Sequence, residues 1–303
     1  MQLIKIRFQS DLQPGLQAGF RLIAIIISVM LLGGCGQLIS NAKQSFADDL
    51  SDTILGYDDP ETIEKAVPSY LLLVSSMIRG EPDNPDLLES GAKLYGSYAS
   101  AFTQSEQSKK RLSQRAFSYA SRSMCLRYEF FCEFEQLKFV GYKELLNQFG
   151  RDDASHLFVF ASTWAGVIQA DSANWNKVAE LPKVKASIQR VLDLDETVDN
   201  GNAHLYMAVM ETLLPPSMGG QPDLAKKHFE RAQELSAGKN LMVNVFYAQK
   251  YARLLFDREL HDRLLKEVVA TDLSDHAYDE DRLMNVLAKQ KAKELLMTAD
   301  DYF

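Results

Sequence analysis

Apolar side chains recur at intervals of three and four residues along most of the chain. This spacing places them on one face of an α-helix, most clearly in residues 224–235. Alternating apolar and polar runs bounded by glycine, which indicate strands, do not occur. The pattern therefore predicts an all-α protein, with Trp164 and Trp175 packed in its interior. Helices are expected over residues 60–79, 85–103, 106–124, 132–148, 152–170, 182–194, 201–214, 222–236, 241–255, 258–270 and 280–298.

Small residues recur where two helices would have to approach closely. The spacing of Ala225, Phe229 and Ala232 is typical of the second helix of a tetratricopeptide repeat. The spacing of Ala248 and Tyr251 is typical of a first helix. Because no strict period of about 34 residues runs through the chain, the repeats are degenerate. We therefore expect tetratricopeptide-like stacked helix pairs, an α-solenoid with a concave surface for ligands or partners.

The N-terminal segment has the composition of a signal peptide. Its apolar run, residues 22–32, is shorter than the about 20 residues that a stable membrane-spanning helix needs. Basic residues precede this run, as in the n-region of a secretory signal. They are Lys5, Arg7 and Arg21.

A cysteine follows the apolar run almost directly. Residues 32–35, Leu-Gly-Gly-Cys, resemble a lipobox, in which small residues fit the peptidase cleft and the thiol accepts a lipid. We expect residues 1–34 to be cleaved, Cys35 to be acylated, residues 35–56 to form a tether, and residues 57–303 to form the helical-repeat domain. Because glycine rather than aspartate follows the cysteine, anchoring to the outer membrane, facing the periplasm, is favoured over the inner membrane. The alternative is a short membrane-anchored helix with an incidental cysteine.

The charge balance argues against binding to nucleic acid. The chain has 33 basic and 41 acidic residues, a net charge of −8. Residues 1–34 hold three of the basic and one of the acidic residues, so the remainder has a net charge of −10. Phosphate recognition needs clustered lysine or arginine, and no basic stripe occurs.

Catalytic and metal-binding motifs are also absent from the sequence. The five histidines lack the spacing of a helical metal site, and no phosphate-binding loop, dinucleotide fingerprint or nucleophile elbow occurs. We therefore expect a binding or scaffolding protein with no catalytic residues, no metal and no cofactor.

Cys125 and Cys132 are the two remaining cysteines. On a continuous helix, residues seven positions apart rise by about 10 Å, which is too far for a disulfide. A helix break within residues 126–131 would let them meet, and an exported protein permits the bridge. The sequence leaves both a disulfide and two free thiols open.

The longest connection between predicted helices covers residues 213–222. Its Pro-Pro pair favours extended backbone, while Gly219 and Gly220 permit positive φ. This segment is either a rigid connector or a loop that shapes a ligand opening or a partner contact. The two glycines could also present amides to an anion. His204, one helix earlier, is either a structural hydrogen-bonding residue or a ligand contact.

Short motifs follow one another in order between about residues 57 and 290. They are Asp58-Asp59-Pro60-Glu61 with Ala66-x-Pro68, Pro82-Asp83-Asn84 with Leu87-Leu88, Tyr98-Ala99-x-Ala101-Phe102, Leu181-Pro182-Lys183-Val184 with Leu192-Asp193, Gly201-x-x-His204, Pro216-x-Met218-Gly219-Gly220, Ala225 with His228-Phe229-Glu230-x-Ala232, and Leu235-Ser236-x-Gly238. Together they resemble the T component of TRAP transporters, a family of lipid-anchored periplasmic helical-repeat proteins. The match is looser over residues 105–150, where the cysteine pair is not typical of the family.

The resemblance implies helix pairs around a hydrophobic channel, in a homo-oligomer that associates with a periplasmic solute-binding protein. A hydrophobic channel implies an apolar ligand. TRAP systems import organic acids with ion gradients, which implies an organic acid as the other possible ligand. The family has no established catalytic residues. The residues that match its strongest motif are expected in the channel or the loop. They are His204, Pro216, Met218, Gly219, Gly220 and Phe229.

Two functional hypotheses follow from the sequence. The first is an accessory component of a TRAP-type transport system that binds a ligand, docks the solute-binding protein, or does both. The alternative is a helical-repeat lipoprotein that scaffolds an envelope complex without a small ligand.

Overall fold

Capping side chains and prolines set the start of the first helices. Asp59 accepts a hydrogen bond from the amide of Glu61, and Asn84 accepts from the amides of Asp86 and Leu87. A proline follows each cap at the first helical position, where a missing amide hydrogen costs nothing. Both helices therefore begin where the sequence predicts.

The computed structural model describes residues 53–214 and 216–303, with only the backbone at Met218. Every regular element in these residues is helical, so the all-α prediction is confirmed for them. The predicted signal peptide, Cys35 and most of the tether lie outside the described residues. The α-helices are α1 (Pro60–Gly80), α2 (Pro85–Ala101), α3 (Glu106–Arg127), α4 (Phe139–Leu146), α5 (Ala154–Ala170), α6 (Trp175–Val178), α7 (Leu181–Leu194), α8 (Asn202–Glu211), α9 (Pro222–Leu235), α10 (Leu241–Phe246), α11 (Arg258–Ala270), α12 (Arg282–Met297) and α13 (Ala299–Tyr302).

Most helices pack against a helix one or two places away in the chain. Thus α2 lies against α3, α3 against α5, α5 against α7, and α8 against α9. One hydrophobic core is built mainly by α3, α5 and α7, and a second by α9 to α12. Helix α8 contributes to both cores, with Met207 in the first and Ala208 in the second. The two cores therefore meet at α8.

The small-and-aromatic stripe of α9 is buried as predicted. Ala225, Phe229 and Ala232 are inaccessible to solvent or nearly so, and the Phe229 ring stacks on Tyr247 with centroids 4.8 Å apart. The following segment departs from the prediction, because α10 ends at Phe246 and the chain continues as a π-helix over Tyr247–Ala252. The π-helix ends at Ala252, before the predicted helix end at residue 255, and Leu255 is exposed.

The helix predicted over residues 132–148 is wrong in its first half. The chain forms two 3-10 turns, Glu129–Phe131 and Phe134–Gln136, and α4 begins only at Phe139. These turns bury Phe131 and Phe134, whose rings stack with centroids 5.0 Å apart. Burying the two aromatic rings stabilises the 3-10 turns by more than the helix propensities of these residues favour a continuous α-helix.

The two tryptophans differ in burial. Trp164 lies in the first core, stacked on Phe117 with centroids 5.4 Å apart. Trp175, which was also expected to pack, is 81% exposed at the start of α6. The residue of α6 that packs against the first core is Val178 rather than Trp175.

Cys125 and Cys132 are joined by a disulfide, with their Cα atoms 4.5 Å apart. Helix α3 ends at Arg127, and the 3-10 turn that follows brings the chain back toward Cys125. This is the kind of helix break that a bridge between these positions requires. Closing so short a loop restricts the unfolded chain and stabilises the fold by about 2.5 kcal/mol.

Three consecutive residues with positive φ lead from α7 into α8. They are Asp199, Asn200 and Gly201. Aspartate and asparagine tolerate this conformation better than most residues. At Gly201 a Cβ would also lie 2.7 Å from the Cβ of Leu235. Glycine there therefore allows the end of α9 to approach the start of α8.

We expect Gly201→Ala to lower the free energy of unfolding by about 3 kcal/mol, because the methyl group adds a steric clash to the backbone strain. Gly238 is the matched control, since its φ is also positive and a Cβ there would have no neighbour within 4 Å. Gly238→Ala should cost about 1 kcal/mol. Urea unfolding of both variants measures the difference, and equal losses would contradict the steric role of Gly201.

Candidate functional site

Polar side chains from three helices meet where the two cores join. His204 and Glu211 are seven positions apart on α8, so they share one face. His228 and Arg231, three positions apart, share a face of α9. Together with partners from α7 and from the turn before α8, they form two neighbouring groups, one around His204 and one around Glu211, that we call the polar chain. Its members are Lys185, Glu196, His204, Glu211, His228 and Arg231.

His204 and His228 are hydrogen-bonded to each other. Their Nδ1 atoms lie 2.8 Å apart, and Nε2 of His204 lies 3.1 Å from a carboxylate oxygen of Glu196. Because the carboxylate only accepts, His204 donates through Nε2, and its Nδ1 accepts from the Nδ1–H of His228. Protonating both imidazoles would place two N–H groups against each other. The pair therefore keeps its hydrogen bond with at most one additional proton.

Neighbouring groups shift the pKa values in this part of the polar chain. Hydrogen bonds from Arg231 and His204 lower the pKa of Glu196 to about 2. Burial lowers the pKa of His228 to about 4, and the nearby His204 and Lys185 act in the same direction. Burial also lowers the pKa of His204, although Glu196 opposes this effect. At neutral pH the carboxylate is therefore ionised and both imidazoles are neutral.

Glu211, at the end of α8, is buried and forms an ion pair with Lys185. The Lys185 ammonium lies 2.6 Å from the Glu211 carboxylate. A buried carboxylate is stable only with such a partner. The main-chain oxygen of Glu211 accepts a hydrogen bond from the Gln221 amide at 3.0 Å. Glu211 therefore ties α8 to α7 and joins the two ends of the segment that follows it.

That segment, residues 212–221, is the connecting loop; its Pro215 lies outside the described residues. Leu213 is 48% exposed and Leu214 is 43% exposed. The Gly219 amide donates to the carbonyl of Pro216 at 3.1 Å, which closes a short 3-10 turn. The loop is thus held at its base and presents apolar side chains to solvent.

The sequence-predicted site residues fall into three environments. His204 belongs to the polar chain. Pro216 and Gly219 are exposed in the connecting loop, and Gly220 is half-buried there. The side chain of Met218 lies outside the described part of the structure. Phe229 has no exposed surface and packs in the second core.

Sequence reasoning missed Lys185, Glu196, Glu211 and Arg231. Their contacts cross between elements; Arg231, for instance, reaches Glu196 over 35 positions. The one sequence feature that could have indicated any of these four residues is a charged residue on an otherwise apolar helix face. Glu211 lies two turns after His204 and directly after the buried Met210.

The helices and the polar chain define an all-helical protein with a projecting apolar loop. No helix in residues 53–214 and 216–303 has both the length and the apolar character needed to cross a bilayer. The family model of the TRAP transporter T-component matches residues 56–303. The chain therefore belongs to that family, as its motifs indicate. A comparison with curated proteins finds no match.

The imidazole pair should make stability depend on pH. An unfolded histidine has a pKa near 6.5, whereas the pKa of His228 in the folded protein is about 4. Between these values the unfolded state binds more protons, so the free energy of unfolding falls as pH falls. Stability is at its full value above about pH 6.5. We expect a loss of about 1–2 kcal/mol by pH 4.5, allowing for solvent screening.

His228→Asn should flatten this dependence, because its amide can still donate to His204 but does not titrate. His276→Asn is the control, since the His276 side chain is 95% exposed. Urea unfolding between pH 6.5 and 4.5 measures both slopes. An unchanged slope in His228→Asn would rule out the imidazole pair as the cause.

Proposed function

We propose that this protein is a periplasm-facing lipoprotein that serves a TRAP-type transport system by docking its solute-binding protein through the connecting loop. The family assignment supports the transport role. The observation that supports docking is the exposure of Leu213 and Leu214 on a loop held at its base. The role is that of a non-enzymatic accessory.

The connecting loop has two properties of a docking segment. Adjacent exposed leucines offer apolar surface that a partner can remove from water, at roughly 25 cal/mol per Å². The hydrogen bond between Gln221 and Glu211 restrains the loop before any partner arrives. Less conformational freedom is then lost on binding.

The charges of the polar chain favour docking over direct capture of an organic acid at this position. Arg231 is paired with Glu196 and Glu234, and Lys185 is paired with Glu211. Three carboxylates thus face two cations, while both imidazoles are neutral at pH 7. An anionic ligand would have to displace an existing carboxylate.

An apolar ligand, bound between the proposed tetratricopeptide-like helix pairs, is compatible with the same accessory role.

Replacing both leucines, Leu213→Ser with Leu214→Ser, should weaken binding to the purified solute-binding protein of the same system at least about tenfold. Loss of about 1.4 kcal/mol of apolar contact is sufficient for that change. The matched control is Leu72→Ser with Leu73→Ser, a second pair of adjacent exposed leucines, located on α1.

Isothermal titration calorimetry of the wild type and both double variants measures the three affinities. We expect the control variant to bind as tightly as the wild type and the loop variant to bind more weakly. If the loop variant binds as tightly as the wild type, the docking surface lies elsewhere. If the wild type does not bind the solute-binding protein, the docking proposal fails.

The lipid anchor has its own test. Cys35→Ala should be exported but recovered in the soluble periplasmic fraction, because Cys35 is the residue proposed to carry the lipid. Fractionation with metabolic palmitate labelling measures both properties. Leu32→Ile, which keeps an apolar residue in the lipobox, should remain labelled and membrane-bound. An unlabelled, unprocessed wild-type protein would disprove the lipoprotein assignment.

A further inference from the structure

A second apolar surface lies where α13 meets the segment that follows the π-helix. Phe256 is 70% exposed, and Leu255 and Tyr302 are also exposed. The Tyr302 hydroxyl donates to the carbonyl of Arg253 at 3.3 Å, which links α13 to this segment. We call this surface the C-terminal patch. It comprises Leu255, Phe256, Tyr302 and Phe303.

The backbone at Phe256 is strained. Its φ is +53°, a conformation that favours glycine. The amide of Asp257 donates to the carbonyl of Ala252, and that of Phe256 donates to Arg253, which is the bonding pattern of a Schellman cap. Glycine is the usual residue at this position of the cap. Here a phenylalanine occupies it and projects most of its ring into solvent, and such strain tends to occur at functional positions.

The rings of the C-terminal patch are held in a defined arrangement. Phe256 stacks on Tyr302 with centroids 5.9 Å apart, and Tyr302 packs edge-on to Phe303 at 5.2 Å. The guanidinium of Arg253 lies 4.6 Å from the centroid of the Tyr302 ring. Rings already fixed in position lose little freedom when a partner covers them.

Carboxylates flank the residues of the C-terminal patch along the chain. Asp257, Glu259, Asp300 and Asp301 are all exposed. Within residues 253–259 and 299–303 the cations are Arg253, which covers Tyr302, and Arg258, which is paired with Asp300. Glu259 and Asp301 have no ion-pair partner among the described residues. The rim of the patch is therefore negative.

We propose that the C-terminal patch docks a protein segment that presents a large apolar side chain flanked by lysine or arginine. Charge complementarity selects this occupant. A second copy of the chain would bring the same carboxylates into contact with one another. An anionic lipid surface would be repelled by them. The proposal is independent of the connecting loop and of the lipid anchor.

The probe is a fluorescently labelled amphipathic helical peptide of leucine and lysine, with a leucine–glutamate peptide of the same pattern for comparison. Fluorescence anisotropy with the full-length protein measures both affinities. We expect the lysine peptide to bind and the glutamate peptide not to bind. Phe256→Gly should weaken binding about tenfold. Leu72→Ser, which removes an equally exposed leucine from α1, should not.

Phe256→Gly suits the test because glycine favours the backbone conformation found there, and circular dichroism verifies that the variant is folded. Equal binding by Phe256→Gly and the wild type would reduce the effect to general attraction between an acidic protein and a cationic peptide, and would overturn the proposal. Equal binding of the two peptides would also overturn it. So would Phe256-dependent binding to phosphatidylglycerol vesicles, or Phe256-dependent self-association in sedimentation.

Discussion

Glu211 places a negative charge inside the protein, and a buried carboxylate is stable only with a cation against it. Lys185 supplies that cation from α7 at 2.6 Å. Separating α7 from α8 here would leave a charge unpaired in the interior, which typically costs several kcal/mol. The main-chain oxygen of Glu211 also holds Gln221, so the base of the connecting loop depends on the same residue. Lys185 in turn helps to keep His228 neutral.

Residues that define the family motif meet one another in space. Gly201 and Leu235 belong to separate motifs, yet a side chain on Gly201 would collide with Leu235. His204 and His228, also from separate motifs, share a hydrogen bond. Both contacts join α8, or the turn before it, to α9, the pair of helices on either side of the connecting loop. The motif therefore describes how these two helices pack, and the position of the loop follows from that packing.

Features that depend on local sequence could be predicted, and features that depend on distant contacts could not. The caps at Asp59 and Asn84 and the stripe of α9 need only neighbouring residues, so their patterns indicated the helices correctly. The 3-10 turns that bury Phe131 depend on rings from other helices, and an α-helical spacing gave no sign of them. In the site, His204 and the loop were recognisable, whereas the contact between Glu196 and Arg231 spans 35 positions.

The connecting loop and the C-terminal patch differ in the charges around them, and that difference bears on what each could bind. The cations of the polar chain are already paired, so in the docking proposal contact at the loop depends mainly on Leu213 and Leu214. At the C-terminal patch, unpaired carboxylates add a charge requirement to the apolar one. If both proposals hold, a partner that satisfies only the apolar requirement would be favoured at the loop and disfavoured at the patch. The two proposed docking surfaces would then select partners of different chemistry.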